Sequence, residues 1–260
     1  MDFAARILTA PLGKTHLFAV GQAGFIIKSK KGTLLGIDMY LTDCVERVEG
    51  HVGFKRLTPK VLAPADIQFD FVVATHSHYD HFDMDAIPEL MSNRKTRLIA
   101  SVNCKKEIER LFMTGDNITY VKTGEIYDAD DIHMDIVFCD HGSGAPDAFG
   151  LVISVDGKKI YIAGDTCLRM DLLPKIKEMG RFDVVIGPIN GAYGNLNEEE
   201  FVTVCEYLNP KLVVPCHFGT FASHGGNPQK FRDEIENRIP KQKYLLMAQC
   251  EQYTFDEEAF

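Results

Sequence analysis

The sequence predicts an α/β protein built as two sheet-and-helix halves that face each other. Three observations carry this expectation. A β-meander opens the chain, strand–helix units follow it, and the same succession repeats after residue 118. Five apolar strands each run directly into a polar, ligand-capable residue, as happens where a site collects beyond the carboxyl ends of strands. The 260 residues are 45% apolar and 25% charged, a composition that buries a sizeable core without staples. One domain is expected over residues 1–260, with pseudo-related halves of roughly 1–130 and 131–260.

The elements follow in chain order. Residues 17–20, 25–27 and 34–37 are short apolar strands, separated by Gly21-Gln22-Ala23-Gly24 and by Lys30-Lys31-Gly32. Residues 42–65, with mixed charge and two prolines, are less regular. Residues 69–75 are a strand, and Asp85 caps a helix to about Met91 with Pro88 tolerated in its first turn. Residues 98–102 are a strand and 105–113 a short helix. A β-rich stretch spans 118–163, where Asp156-Gly157 supplies the positive φ angles of a type I′ hairpin turn. Asn197 with Glu200 three residues later is a capping box, opening a helix that Pro210 stops.

Charge and composition exclude several function classes. The formal charge is 28 − 37 = −9, with 16 basic and 17 acidic groups in residues 1–130 against 12 and 20 in 131–260. That balance opposes a nucleic-acid polymer as partner, because phosphate backbones demand a basic face. No apolar run approaches the ~20 residues of a membrane span. Acidic Asp2 and the break at Pro11 make the start a poor secretory signal. Seven cysteines without a C-x-x-C pair read as reduced thiols of a cytoplasmic protein. A homo-oligomer is left open.

The strongest local signal is Thr75-His76-Ser77-His78-Tyr79-Asp80-His81. In an extended chain, side chains two apart point the same way with about 6–7 Å between Cα atoms, so His76 and His78 can close on one cation. Asp80 and His81 fall in the following turn. Imidazole with carboxylate suits Zn²⁺, Mn²⁺ or Fe²⁺. His141, Asp165 and His217 each follow an apolar strand, giving five histidines and two aspartates. A catalytic ion usually takes three protein ligands plus water, so seven ligands fit two divalent ions. The expected assignment is His76, His78 and His141 to one, Asp80, His81 and His217 to the other, with Asp165 between them.

These residues, in the setting Asp-His141-Gly, Gly164-Asp165-Thr and Pro-Cys-His217-Phe, resemble the metallo-β-lactamase superfamily of hydrolases over about residues 15–220. The resemblance implies a four-layer αββα sandwich of two mixed β-sheets flanked by helices, a dinuclear site at one sheet edge, and hydrolysis by hydroxide formed on the two metals. Softer motifs, Gly24-Phe-Ile-Ile-Lys28-Ser, Gly-Ile-Asp38-Met-Tyr40, Lys60-Val-Leu-Ala-Pro64 and Asn227-Pro228-Gln229, are similar to the L-ascorbate-6-phosphate lactonase (UlaG-like) branch. That likeness implies a small carbohydrate-derived, phosphorylated lactone as substrate. A cyclic-nucleotide or small-molecule phosphodiesterase is the alternative, and a non-catalytic metal-stabilised binding protein the second.

Within this reading Asp80 orients the attacking hydroxide and shuttles its proton, and so is the catalytic residue. Asp38, ending the third strand, is either an acceptor that fixes a ligand histidine's tautomer or an ordinary turn cap. Asn190, Tyr193 and His224 lie on loops leaving the same rim and are expected to contact substrate. Lys55 and Arg56 are expected as a solvated surface pair, with phosphate contact the lesser reading. His16, His51 and His133 are expected to be structural.

Overall fold

The computed structural model describes residues 2–50 and 53–255; His51, one of the three histidines expected to be structural, lies outside them. Alternation along the strands decides the layers. In β1 (Thr15–Gly21), Leu17 and Ala19 face one apolar layer while Phe18 and Val20 face another, as the two-residue period of a strand requires. β2 (Gly24–Lys28), β3 (Leu34–Ile37), β4 (Phe71–Ala74), β5 (Arg97–Ser101) and β6 (Ile118–Val121) extend the same sheet. β7 (Ile126–Ala129), β8 (Ile132–Phe138), β9 (Phe149–Val155), β10 (Lys158–Ile162), β11 (Val184–Pro188), β12 (Leu212–Cys216) and β13 (Lys243–Tyr244) form a second sheet in sequential order. β14 (Gln252–Phe255) returns to the first sheet and pairs antiparallel with β1.

Between the sheets lies a layer of Leu17, Phe25, Ile27, Phe71, Val73, Phe149, Leu151, Ile153, Val184 and Val214, all fully buried or nearly so. Each such side chain contributes about 1.5–3 kcal/mol relative to exposure. The outer face of the first sheet is covered by α1 (Phe3–Thr9), α2 (Cys44–Glu49), α3 (Ala86–Leu90) and α4 (Lys105–Arg110). That of the second is covered by α5 (Leu173–Glu178), α6 (Glu198–Leu208) and α7 (Pro228–Arg238). The architecture is the expected αββα sandwich of two mixed sheets. Among the described residues no helix is long and apolar enough to cross a membrane.

Several local expectations are met in detail. The Asn197/Glu200 capping box has both reciprocal bonds, and α6 ends on Asn209 in the left-handed region. Asp156 and Gly157 have φ of 53° and 78° in the β9–β10 hairpin. Others are corrected. The boundary near residue 130 is too late, because β7 belongs to the second sheet, and β14 crosses back to the first. α1, capped by Asp2, and α2, within 42–65, are helices that the pattern did not announce. Asp85 makes no side-chain cap; Asp83 does that work, accepting from the Asp85 and Ala86 amides and also from Leu41 and Thr42.

The Lys55–Arg56 pair is likewise split. Lys55 is exposed, but the Arg56 side chain is only 6% exposed. It donates to the Tyr40 and Thr42 carbonyls and stacks over the Tyr40 ring at 3.8 Å. His16 is structural, bonded to Pro11 and Thr254, and His133, on β8, lies beside Asp128 and Asp135.

Candidate metal centre

The site is assembled where strands of both sheets end. After β4 the chain leaves the sheet at Thr75 and turns tightly, with the amides of His81 and Phe82 both bonded to the His78 carbonyl. This turn presents His76, His78, Asp80 and His81 from one loop. From the second sheet come His141 after β8, Asp165 after β10 and His217 after β12. Gly164, at φ +70°, precedes Asp165, and a Cβ there would stand 2.9 Å from the Phe149 carbonyl oxygen. Glycine is what lets the chain turn so close to β9.

All seven predicted residues converge. His78 Nδ1 lies 3.0 Å from His76 Nε2 and 3.1 Å from His141 Nε2. Asp165 Oδ2 lies 3.1 Å from His217 Nε2, 3.4 Å from His81 Nε2 and 3.8 Å from His141 Nε2. Asp80 Oδ2 lies 3.3 Å from His217 Nε2. Three groups of donors have ligand atoms within 4.8 Å of one another: His76, His78 and His141; His76, His81 and Asp165; and Asp80, His217 and His224. His76 is shared by the first two, and Asp165 sits amid three imidazoles.

The electrostatics match a cation-binding cavity. Burial opposes ionisation of Asp80 and Asp165, yet the neighbouring His81 and His217 outweigh it and hold both carboxyls well below the usual range. The same balance works in reverse on the imidazoles. Burial opposes protonation of His81, but Asp165, Asp80 and Asp38 hold its pKa well above 6.5, and His217 is pushed up to about 9 chiefly by Asp165. Burial, then the neighbouring histidines, holds His76 well below 6.5 and His141 near about 4. Protons on His81 and His217 thus balance buried carboxylates where a divalent ion can do so, and such an ion releases them on binding. The donor set, imidazole nitrogen with carboxylate oxygen and a cavity that demands positive charge, fits Zn²⁺-, Mn²⁺- or Fe²⁺-type ions.

Asp38 takes the acceptor role. Buried just beyond β3 at φ +46°, it accepts from the Thr75 amide and hydroxyl and lies 2.8 Å from His81 Nδ1. The ring's other nitrogen is thereby aimed at Asp165. Gln22 and His217 also have positive φ, so backbone strain collects at this rim, as it does at functional sites.

Two residues escaped sequence reasoning. Gln22, in the β1–β2 turn, donates to Asp80 Oδ2 at 2.8 Å, and its carbonyl accepts from the His217 amide. Asn195 donates to Asp165 Oδ2 at 2.8 Å. Flanking glycines and a place on a rim loop were the signals available for them. Asn190 is corrected: it is buried, its amide turned to the Ala192 carbonyl, and it does not line the cleft.

The cleft over the centre has a volume of about 370 Å³. Tyr193 stands exposed at its rim, and half-buried His224 lies against His217, ring centroids 5.2 Å apart. Burial, then His217, pushes the His224 pKa down to about 4, so the ring is neutral. Among the described residues no lysine or arginine lines the cleft. A phosphate group would meet no lysine or arginine of that described wall.

Comparison with known proteins agrees with this geometry. A family profile described as a beta-lactamase superfamily domain matches residues 39–218, a span that holds all seven clustered residues. A UPF0173 metal-dependent hydrolase of Anaeromyxobacter dehalogenans is 28% identical over 243 residues, covering 88% of this chain and 84% of that protein. Among solved structures, a metallo hydrolase from the archaeon Ignicoccus hospitalis superposes with a TM-score of 0.72 at 23% identity, covering 94% of this chain and 99% of that one. A metallo-beta-lactamase fold protein from Bacillus subtilis superposes at 0.69 with 11% identity, covering 94% and 100%. Two facing sheets, seven converging donors and a profile match over most of the chain lead to one conclusion: this chain belongs to the beta-lactamase superfamily.

Proposed function

We propose that the protein is a metal-dependent hydrolase that uses two divalent cations, Zn²⁺ or Mn²⁺ with Fe²⁺ as a further candidate, to open a small lactone. The observation that carries this reading is the convergence of five imidazoles with the carboxylates of Asp80 and Asp165 at the base of a cleft. His76, His78 and His141 would hold one ion and Asp80, His81 and His217 the other, with Asp165 lying between the two sets. Bound there, two such ions would supply a water of near-neutral pKa and a Lewis acid for the scissile carbonyl.

The chain's own residues supply the rest. Asp80 lines the cleft as an ionised carboxylate, able to orient the attacking water and accept its proton. The Gln22 amide donates to that carboxylate and fixes its orientation. Asp38 holds the His81 tautomer, and Asn195 holds Asp165. Neutral His224 serves as a hydrogen-bonding wall residue, with Tyr193 beside it at 5.0 Å between centroids. The phosphorylated, carbohydrate-derived substrate form rests on sequence motifs alone, because the described cleft wall offers it no cationic side chain.

The test is turnover of a panel of lactones, sugar-phosphate lactones, cyclic nucleotides and thioesters by Zn²⁺- and Mn²⁺-loaded protein. Lactone opening abolished by chelation is the expected result. Activity confined to phosphodiesters would replace the lactone reading by a phosphodiesterase. Bound metal with no turnover of any substrate would favour the non-catalytic metal-stabilised protein. Asp80→Asn is expected to lower turnover more than it empties the site.

A further inference from the structure

We infer that this cleft selects an uncharged lactone or ester bearing an apolar, ring-sized group, and discriminates against phosphorylated and other anionic substrates. This rests on the hydrolase reading and names its substrate class. The first support is a connected aromatic wall. Phe54 lies 6.1 Å from Tyr193 and 6.1 Å from Phe221, and His224 lies 5.0 Å from both Tyr193 and Phe221, ring centroid to centroid. All four rings line the cleft and lead from its rim to His217. Such rings offer apolar area with defined geometry to a flat or cyclic ligand.

The second support is charge. Beyond the clustered carboxylates, the ionised groups in the described wall are Glu49 and Glu107. Glu107 has one weak partner, Arg110 at 3.4 Å, which is itself 60% exposed. Of the basic groups beside this wall, Arg56 is committed to backbone carbonyls, to Asp43 and to Tyr40, and Arg110 lies against Glu107 and Tyr79. With the lactone carbonyl at the base of the cleft, a phosphate elsewhere on the substrate would lie against the wall that carries these two carboxylates, across a partly desolvated space where repulsion exceeds that in bulk water. A cleft of about 370 Å³ is at the small end of ligand pockets, so the group admitted is about one ring.

The test compares two lactones on Zn²⁺-loaded full-length protein: dihydrocoumarin, aromatic and uncharged, and 6-phosphogluconolactone. We expect kcat/KM for the former to exceed the latter by at least about tenfold. The double substitution Glu49→Gln with Glu107→Gln should narrow that ratio several-fold. Tyr193→Ala, at an exposed rim position, should raise KM for dihydrocoumarin about fivefold and move kcat less. Calorimetric binding of the matching lactam, dihydroquinolinone, reads the wall independently of turnover, and Tyr193→Ala should weaken it by a similar factor. Binding of the lactam with neither lactone hydrolysed would sustain the wall's preference while removing the lactone-opening reading. Equal or faster turnover of the phosphorylated lactone, or a ratio unmoved by the double substitution, would overturn the inference and leave the hydrolase reading standing.

Discussion

The two sheets share one pattern of pairings but feed the centre differently. From β14 to β6, and again from β7 to β13, three antiparallel pairings are followed by three parallel ones. Equivalent strand ends therefore carry Gln22 and His141, Asp38 and Asp165, and His76 and Asn190. In the second half each contributing strand end delivers one donor. In the first half a single loop delivers four, and the ends of β1 and β3 deliver support instead: Gln22 binds Asp80, and Asp38 binds Thr75 and His81. The same fold position can present a ligand or the group that aims one, and the difference lies in whether a neighbouring loop already fills the space.

The largest expected effect separates shared from unshared donors. His76 belongs to two donor groups and His141 to one. His76→Ala should remove a donor that two neighbouring groups have within reach and reduce turnover by at least about a hundredfold, whereas His141→Ala, which removes a donor of one group, should cost less. Metal content and kcat measured on the same preparations check this, and equal losses would erase the distinction.

Next comes the comparison of the two equivalent aspartates. Asp38→Asn is expected to weaken metal affinity by about 10–100-fold, read by chelator competition, because the His81 tautomer is no longer fixed. Asp165→Asn should cost more. A larger loss at Asp38 would reverse the roles assigned to the two strand ends. Smaller still are the amides: Gln22→Leu and Asn195→Leu each remove one hydrogen bond to an ionised carboxylate, about 1.5–3 kcal/mol, or roughly tenfold or more in the function that carboxylate serves. Gln22→Leu should appear mainly in turnover, and Asn195→Leu mainly in metal retention.

The first half's loop is legible in the sequence because His76, His78, Asp80 and His81 crowd into six residues, a density that scattered core histidines do not produce. The second half's donors are legible only as strand ends, since each is a lone residue after a distant apolar run. Gln22, just past a strand end, and Asn195, on a rim loop, are neutral amides, and an amide becomes recognisable as a supporting group when the fold sets it against a carboxylate. Arg56 is hidden for a similar reason, its carbonyl partners at Tyr40 and Thr42 being fixed by tertiary packing. Asp83 capping α3 in place of Asp85 depends on the chain at residues 41–42 arriving beside it. The two facing sheet-and-helix halves are legible because apolar alternation and turn chemistry are local, whereas the four-layer sandwich follows from the family resemblance that the histidine and aspartate motifs carry.

The smallest effect lies at the β7–β8 hairpin, away from the centre. The hydrogen bond to Asp128, reinforced by Asp135, raises the His133 pKa above 6.5. A raised folded-state value gives stability that is full below the unfolded pKa and is lost as pH rises through the folded one. His133→Gln should therefore lower Tm by about a degree or two near pH 5.5, in keeping with an exposed pair, and by nothing at about pH 8.5. A gap that widens with pH would contradict the sign.

The central claim is most directly tested by metal content per chain, measured by plasma mass spectrometry after equilibration with Zn²⁺ or Mn²⁺ and removal of free ions. Two ions per wild-type chain are expected, with proton release on binding. One ion or none per chain, with His81 and His217 retaining their protons, would contradict it.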